Sequence, residues 1–231
     1  MAQQQRAVVL FSGGVDSTTC LALAIERFGK DNVVPLSILY GQKHSKELES
    51  AAKVLAHYGI EGKTIDVTKL FAFSNSSLLT QSTEALPTGS YKEQQEAHGE
   101  CPVSTYVPFR NGLFLSAAAA LALSFDCGYI YYGAHADDAA GNAYPDCTEQ
   151  FYISMGDAIF EGSGKDCALE APFINSNKAD IVREGLRLGV PYELTWSCYE
   201  GGDKPCGHCG TCIDRIAAFR ANGVEDPLEY N

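Results

Sequence analysis

Four strand-like apolar residues, Val8-Val9-Leu10-Phe11, run through Ser12-Gly13-Gly14-Val15-Asp16-Ser17 straight into a stretch with helical spacing, Thr18 to Phe28. No other feature limits the fold as much. A continuous apolar run suits a central parallel strand, and the helical pattern behind it opens a strand-helix-strand unit. Two adjacent glycines can take backbone angles that a β-carbon forbids, so successive N–H groups can face one concavity at the positive end of the helix. Ser12, Ser17 and Thr18 add hydroxyl donors. Such a cradle suits phosphate. Asp16, unwelcome beside phosphate, fits if it caps the helix or meets a metal ion.

A chain of 231 residues with 45% hydrophobic content can bury a substantial core, and one domain spanning 1–231 is expected. The net charge of -12 and the lack of a basic run argue against stable nucleic-acid binding. The start, Met-Ala-Gln-Gln-Gln-Arg, has no basic region followed by an apolar core, which predicts a cytoplasmic protein. The most apolar stretch, Leu113 to Phe125, is about 13 residues, short of the roughly 20 a membrane span needs.

Further along, Val33 to Tyr40 reads as a strand, Leu48 to Tyr58 as a helix and Lys63 to Val67 as a short strand. This alternation predicts a parallel sheet of about five strands with helices on both faces, and ligands at the carboxyl ends of the strands. Tyr40-Gly41-Gln42-Lys43-His44 lies at such an end, as a polar loop or a wall of a site. Thr68 to Val107 has little periodicity and is expected to be an excursion outside the sheet. It leads to Arg110 at the start of a helix over Gly112 to Leu123, where an arginine is either a surface charge or a clamp for phosphate or carboxylate. Strand Tyr129 to Tyr132 runs into a loop, Gly133 to Cys147, holding Asp138, Tyr144 and Asp146; helix Phe151 to Phe160 and strand Leu169 to Phe173 follow. Asn177 is placed to cap the next helix, with Lys178 in its first turn; the dipole disfavours a cation there, which calls for an anion nearby.

Five cysteines, Cys20, Cys101, Cys127, Cys147 and Cys167, are scattered and read as small buried residues; no histidine adjoins Cys147 to activate its thiol. The other four, Cys198-x7-Cys206-x2-Cys209-x2-Cys212, lie in a glycine-rich stretch within a candidate metal segment, 196–215, that can wrap one tetrahedral ion. Zinc is the default. An iron-sulfur cluster also takes four cysteines, but the seven-residue gap breaks the usual run. With four thiolates the ion is structural, and His208 is only an alternative ligand.

No P-loop is present: Gly62-Lys63-Thr64 has the right ending, but His57 stands where the first glycine is required. The form Ser12-Gly13-Gly14-Val15-Asp16-Ser17 instead resembles the pyrophosphate loop of ATP pyrophosphatases. With Tyr40-Gly41-Gln42, Val107-Pro108, Arg110-Asn111, Tyr144-Pro145-Asp146-Cys147 and the cysteine tail, the chain resembles the QueC family of 7-cyano-7-deazaguanine synthases. The resemblance implies a Rossmann-like fold of the HUP type and conversion of 7-carboxy-7-deazaguanine, ammonia and ATP to the nitrile preQ0, with AMP and pyrophosphate released. It implies structural Zn2+ on Cys198, Cys206, Cys209 and Cys212, Mg2+ with ATP, and a homodimer. ATP would be bound by Phe11, Ser12, Gly13, Gly14, Val15, Asp16, Ser17, Thr18, Thr19, Cys20 and Leu21, with Ser12, Asp16, Ser17, Lys178 and Arg110 serving the chemistry. Tyr40, Gln42, His44, Asp138, Tyr144 and Asp146 are the candidates for the purine pocket. Phe109 stands where many relatives carry glycine, and Ala139 to Ala143 lengthens the neighbouring loop. The alternatives are a QueC-like ligase that acylates another amine and a zinc-stabilised adaptor that binds ATP without turnover.

Overall fold

The computed structural model describes residues 5–90, 93–94 and 102–231; Cys101 and part of the excursion lie outside them. Strands β1 (Ala7–Leu10), β2 (Val33–Leu39), β3 (Lys63–Asp66), β4 (Tyr129–Tyr131) and β5 (Ala168–Glu170) form one sheet. All neighbours are parallel, in the order β3-β2-β1-β4-β5. The chain leaves β1 toward β2 and returns on its other side as β4, so the carboxyl end of β1 is the topological switch point, where open parallel sheets bind ligands.

Side chains of β1 alternate between two cores. Ala7 and Val9 pack with Cys20, Leu21 and Ala24 of α1 (Val15–Phe28), Ile181 and Val182 of α5 (Lys178–Leu188) and Phe219 of α6 (Gly210–Ala221). On the opposite face, Val8, Leu36 and Ile38 meet Leu115, Ala118 and Ala122 of α3 (Arg110–Ser124) and Ile159 of α4 (Glu149–Gly162). The alanines of α3 let it lie close to the sheet. Helix α2 (Lys46–Tyr58) follows β2.

Several bounds differ from expectation, two of them for local reasons. Strand β5 ends at Glu170 rather than Phe173, because Pro172 has no N–H to continue the ladder. Helix α3 starts at Arg110 itself, preceded by Phe109 in the left-handed region at φ 56°.

The described part of the excursion after β3 is folded. Phe71, Leu78, Leu79 and Val107 bury against Tyr40, and backbone bonds run from Lys43 to Leu78 (2.9 Å) and from Thr80 to Gly41 (2.9 Å). Gly89 N–H also donates to the carbonyl of His208 at 3.1 Å, joining the excursion to the cysteine segment.

Candidate active site

The loop after β1 is closed by its own hydroxyls. Ser12 Oγ and Ser17 Oγ lie 3.1 Å apart, the Ser12 N–H donates to Ser17 Oγ (3.2 Å) and the Gly14 N–H donates to Ser12 Oγ (3.3 Å). Gly13, at φ 85°, turns against α2, where a β-carbon would lie 2.5 Å from the Ala51 nitrogen. Only glycine serves there.

Asp16 does not cap α1; the cap position is Gly14, which has no side chain to offer, and the Asp16 carboxylate turns to other partners. Lys178 Nζ donates to Asp16 Oδ2 at 2.5 Å. Lys178 is the first residue of α5, whose capping box joins Asn177 and Asp180, and its backbone N–H is held by Asp137 Oδ2 at 2.7 Å. The anion that this lysine calls for is thus Asp16, 162 positions away. Burial alone would raise the Asp16 carboxyl, but the Lys178 ammonium beside it and His135 hold it below the usual carboxylate range. Burial would likewise lower Lys178, and Asp16 and Asp138 outweigh it, leaving the ammonium more basic than usual. His135, buried, has Nε2 3.3 Å from Asp138 Oδ2 and 3.9 Å from Asp16 Oδ2.

This end opens into a cavity of about 260 Å³ that reaches to Tyr40, Arg110, Tyr144 and Tyr199. Of the residues expected to bind ATP, Phe11, Ser12, Gly14, Asp16 and Ser17 line it. Val15, Thr18, Thr19, Cys20 and Leu21 are buried on the inner side of α1, where Thr19 Oγ1 bonds the Tyr192 hydroxyl at 2.9 Å and so anchors the loop from behind. Of the purine candidates, Tyr40, Gln42, His44, Asp138 and Tyr144 line the cavity. Asp146 does not: it is buried behind the wall, and its carboxylate accepts the Asn111 N–H at 2.8 Å, in the first turn of α3. Arg110 lies over the rings of Tyr40 and Phe114, 5.3 Å and 5.9 Å from their centres. Cys147 also lines the cavity, but burial pushes its thiol well above the usual value, which suits a packed residue and not a nucleophile.

Glu47, His135, Trp196, Ser197, Tyr199, Thr211 and Asp214 also line the cavity; the last five fall in the segment read from sequence as a metal site, and nothing local marks any of the seven as facing a cavity. They come from segments distant in the chain, and only the folded cavity brings them together.

The sulfurs of Cys198, Cys206, Cys209 and Cys212 all lie within 4.8 Å of one another and are buried. Backbone N–H groups of Cys206 and Glu200 point at Cys198 Sγ (3.4 Å each), and that of Cys209 at Cys206 Sγ (3.3 Å). Four buried sulfurs this close together, with backbone donors aimed at two of them, can hold a metal ion. His208 turns elsewhere, with Nδ1 2.9 Å from the Cys206 carbonyl and Nε2 2.9 Å from Glu200. Cys20, Cys127, Cys147 and Cys167 are buried singly.

Comparison with known proteins places these features in context. The profile of the family described as "Queuosine biosynthesis protein QueC" matches residues 6–223. A 7-cyano-7-deazaguanine synthase of Caldicellulosiruptor saccharolyticus is 45% identical over 97% of this chain and 95% of its own length. One from Archaeoglobus fulgidus is 43% identical over 96% of this chain and 89% of its own. Among solved structures, the U34-tRNA thiolase NcsA from Methanococcus maripaludis, with its [4Fe-4S] cluster, shares the fold at a TM-score of 0.50 and 17% identity, over 84% of this chain and 60% of its own. No helix among the described residues is long and apolar enough to cross a membrane.

Proposed function

The chain belongs to the QueC family, and from that premise we propose that it is a 7-cyano-7-deazaguanine synthase: it makes the nitrile from 7-carboxy-7-deazaguanine, ammonia and ATP by two activations in one cavity. In the first, a carboxylate oxygen attacks the α-phosphorus of ATP and pyrophosphate leaves. Ammonia then displaces AMP, losing a proton, and the amide forms. In the second, the amide oxygen attacks another ATP; loss of AMP and of the nitrogen-bound protons leaves the nitrile.

The observation that carries this reading is the Lys178 ammonium held on Asp16 beside the hydroxyl-closed glycine loop, at one end of a cavity with room for a base at the other. The bond that breaks in each activation leaves charge on a pyrophosphate oxygen. A fixed ammonium, with N–H donors left beyond the one on Asp16, is already in place for that charge. Asp16 keeps Lys178 aimed through Oδ2, and its buried Oδ1, which has no hydrogen-bond partner, would hold magnesium. Magnesium supplies further neutralisation when bound.

We assign zinc to the four cysteines. Zn–S bonds of about 2.3 Å put tetrahedral sulfurs roughly 3.8 Å apart, which suits a quartet that lies within 4.8 Å; a cube of four irons would need a wider frame. The free thiols fit the reducing cytoplasm, and family membership further implies a homodimer, which light scattering tests.

The deciding experiment incubates the acid with ATP and ammonium. The nitrile by mass spectrometry, with AMP and pyrophosphate as co-products, is the expected result. ADP and phosphate would overturn the adenylation scheme.

A further inference from the structure

Glu47 and Arg110 bring opposite charges to the same cavity and do not pair. The Glu47 carboxylate makes no hydrogen bond or ion pair with any described residue, although its neighbour Lys46 finds Glu49 at 3.7 Å. Arg110 has one long bond, to the Tyr40 hydroxyl at 3.4 Å, and otherwise rests on the Tyr40 and Phe114 rings.

Both groups are held where they are. Glu47 is the second residue of α2, at the turn whose backbone packs against Gly13, where a β-carbon would lie 2.7 Å from the Glu47 carbonyl. Arg110 is the first residue of α3, next to the turn that Asp146 fixes through Asn111. Burial raises the Glu47 carboxyl above its usual range despite the pull of Arg110, as expected of a carboxylate lacking hydrogen-bond donors. Opposite charges in a walled cavity attract strongly, and side chains free to meet would close into a salt bridge. Held apart, they frame a gap for a ligand that offers donors to one and an acceptor to the other.

The other acids of the cavity, Asp16, Asp138 and Asp214, act on Lys178, whereas the Glu47 carboxylate acts on Arg110 and Tyr40. Glu47 is therefore the acid available to whatever lies beyond the phosphates.

We infer that Glu47 and Arg110 read the hydrogen-bonding edge of the deazaguanine base, Glu47 accepting from the ring N1–H and the exocyclic 2-amino group and Arg110 donating to the 6-oxo oxygen. This rests on the function proposed above. A guanine-type edge presents two adjacent donors and then an acceptor, which matches a two-oxygen carboxylate followed by a guanidinium. Adenine presents a ring acceptor beside its amino group, so it satisfies only one oxygen of Glu47. The pair thus sorts the two purines of the reaction, keeping the adenine of ATP out of the substrate end.

The test measures binding by calorimetry of three compounds: 7-carboxy-7-deazaguanine, its analogue lacking the 2-amino group, and ATP. Wild-type protein should prefer the amino compound by on the order of 10²-fold, because the analogue leaves a carboxylate oxygen unpaired. Glu47→Gln should bind the amino compound at least about tenfold more weakly and lose most of the preference, with ATP affinity within about twofold of wild type showing an intact fold. Arg110→Lys should weaken both base compounds together, since both carry the 6-oxo group. An undiminished preference in Glu47→Gln, or an equal loss of ATP and base affinity, would overturn the assignment while leaving the synthase reading intact. Wild-type protein that neither binds nor converts the acid would remove the synthase reading itself.

Discussion

Lys178 is the residue on which the most electrostatics converge. Its side chain is only 15% exposed, and the ammonium bonds the carboxylate of Asp16, whose side chain is 25% exposed. Breaking such a pair from one side leaves a poorly solvated charge, so Asp16→Asn should cost about 3 kcal/mol or more of stability, read by denaturant unfolding. The pH dependence follows from the two directions. Asp16 is held below its usual 3.8, so its contribution is complete above that value and fades as pH falls through the depressed pKa. Lys178 is held above its usual 10.5, so its contribution is complete below that value and fades as pH rises through the elevated pKa. The deficit of Asp16→Asn should therefore stay level from pH 5 to pH 9; a steep change inside that range would mean that the groups are not paired. In turnover, Lys178→Met should lower kcat/KM for AMP release by about 10²-fold or more, and Lys178→Arg should not rescue it, because a planar guanidinium does not fit where a compact ammonium bonds Asp16. Glu47 gives the opposite sign. Its carboxyl is raised by burial, so ionising it costs the ligand-free fold stability as pH rises above its usual 4.5. Glu47→Gln should melt higher than wild type at pH 7 and gain less at pH 4. At this scale Asp16 and Lys178 were legible in the sequence, one from its glycine loop and the other from its misfit with a helix dipole. Glu47 and His135 were not, because a lone acid at a helix start and a lone histidine after a strand gain meaning only from what faces them across the cavity.

Among the elements, strand and helix identities follow from periodicity, and β1 as the centre of the sheet follows from its continuous apolar run. The excursion after β3 was legible only as a departure from the sheet. Its cohesion comes from bonds to Gly41, Ser104 and His208, partners that no local pattern names. The carboxyl-terminal arm was similarly silent. Arg215 of α6 is 1% exposed and forks onto Asp226 at 2.6 Å and 3.0 Å, while also reaching Thr195 (2.8 Å) and the Tyr192 carbonyl (3.0 Å). This network fixes the segment that leads into Trp196 and the cysteines. Asp226→Ala should leave the guanidinium buried without its carboxylate and cost about 3–5 kcal/mol, measured by denaturant unfolding. Replacing Arg215 and Asp226 together with apolar residues of similar volume should restore much of that loss, since it is the unpaired charge that is expensive.

For the whole molecule, the metal segment is a wall of the cavity and not an appendage. The Trp196 N–H donates to the Gly13 carbonyl at 3.0 Å, Thr211 Oγ1 donates to the Ser197 carbonyl at 2.7 Å, and Trp196, Ser197, Tyr199 and Thr211 line the cavity. Cys206→Ser, or chelation, should therefore lower the melting temperature and ATP affinity together; protein that lost metal and stability yet bound ATP as before would contradict the coupling. The same enclosure bears on the two activations. Among the described residues there is a single hydroxyl-closed glycine loop, carrying Ser12 and Ser17 and paired with Lys178, so the second adenylation proposed above would reuse it with the amide seated or rebound. Acid and amide share a planar carbonyl, and the base edge held by Glu47 and Arg110 is the same in both. Positioning that oxygen beside the α-phosphorus supplies much of the rate for either. Ser17→Ala removes a hydroxyl that closes the loop and should slow acid-to-amide and amide-to-nitrile conversion to a similar degree, about tenfold to a hundredfold each. Synthetic amide supplied with ATP and no ammonia should be dehydrated to the nitrile with one AMP released per turnover. If the amide were left unchanged while the acid was still amidated, the cavity would be one that forms amides only, and the nitrile step would belong to another protein.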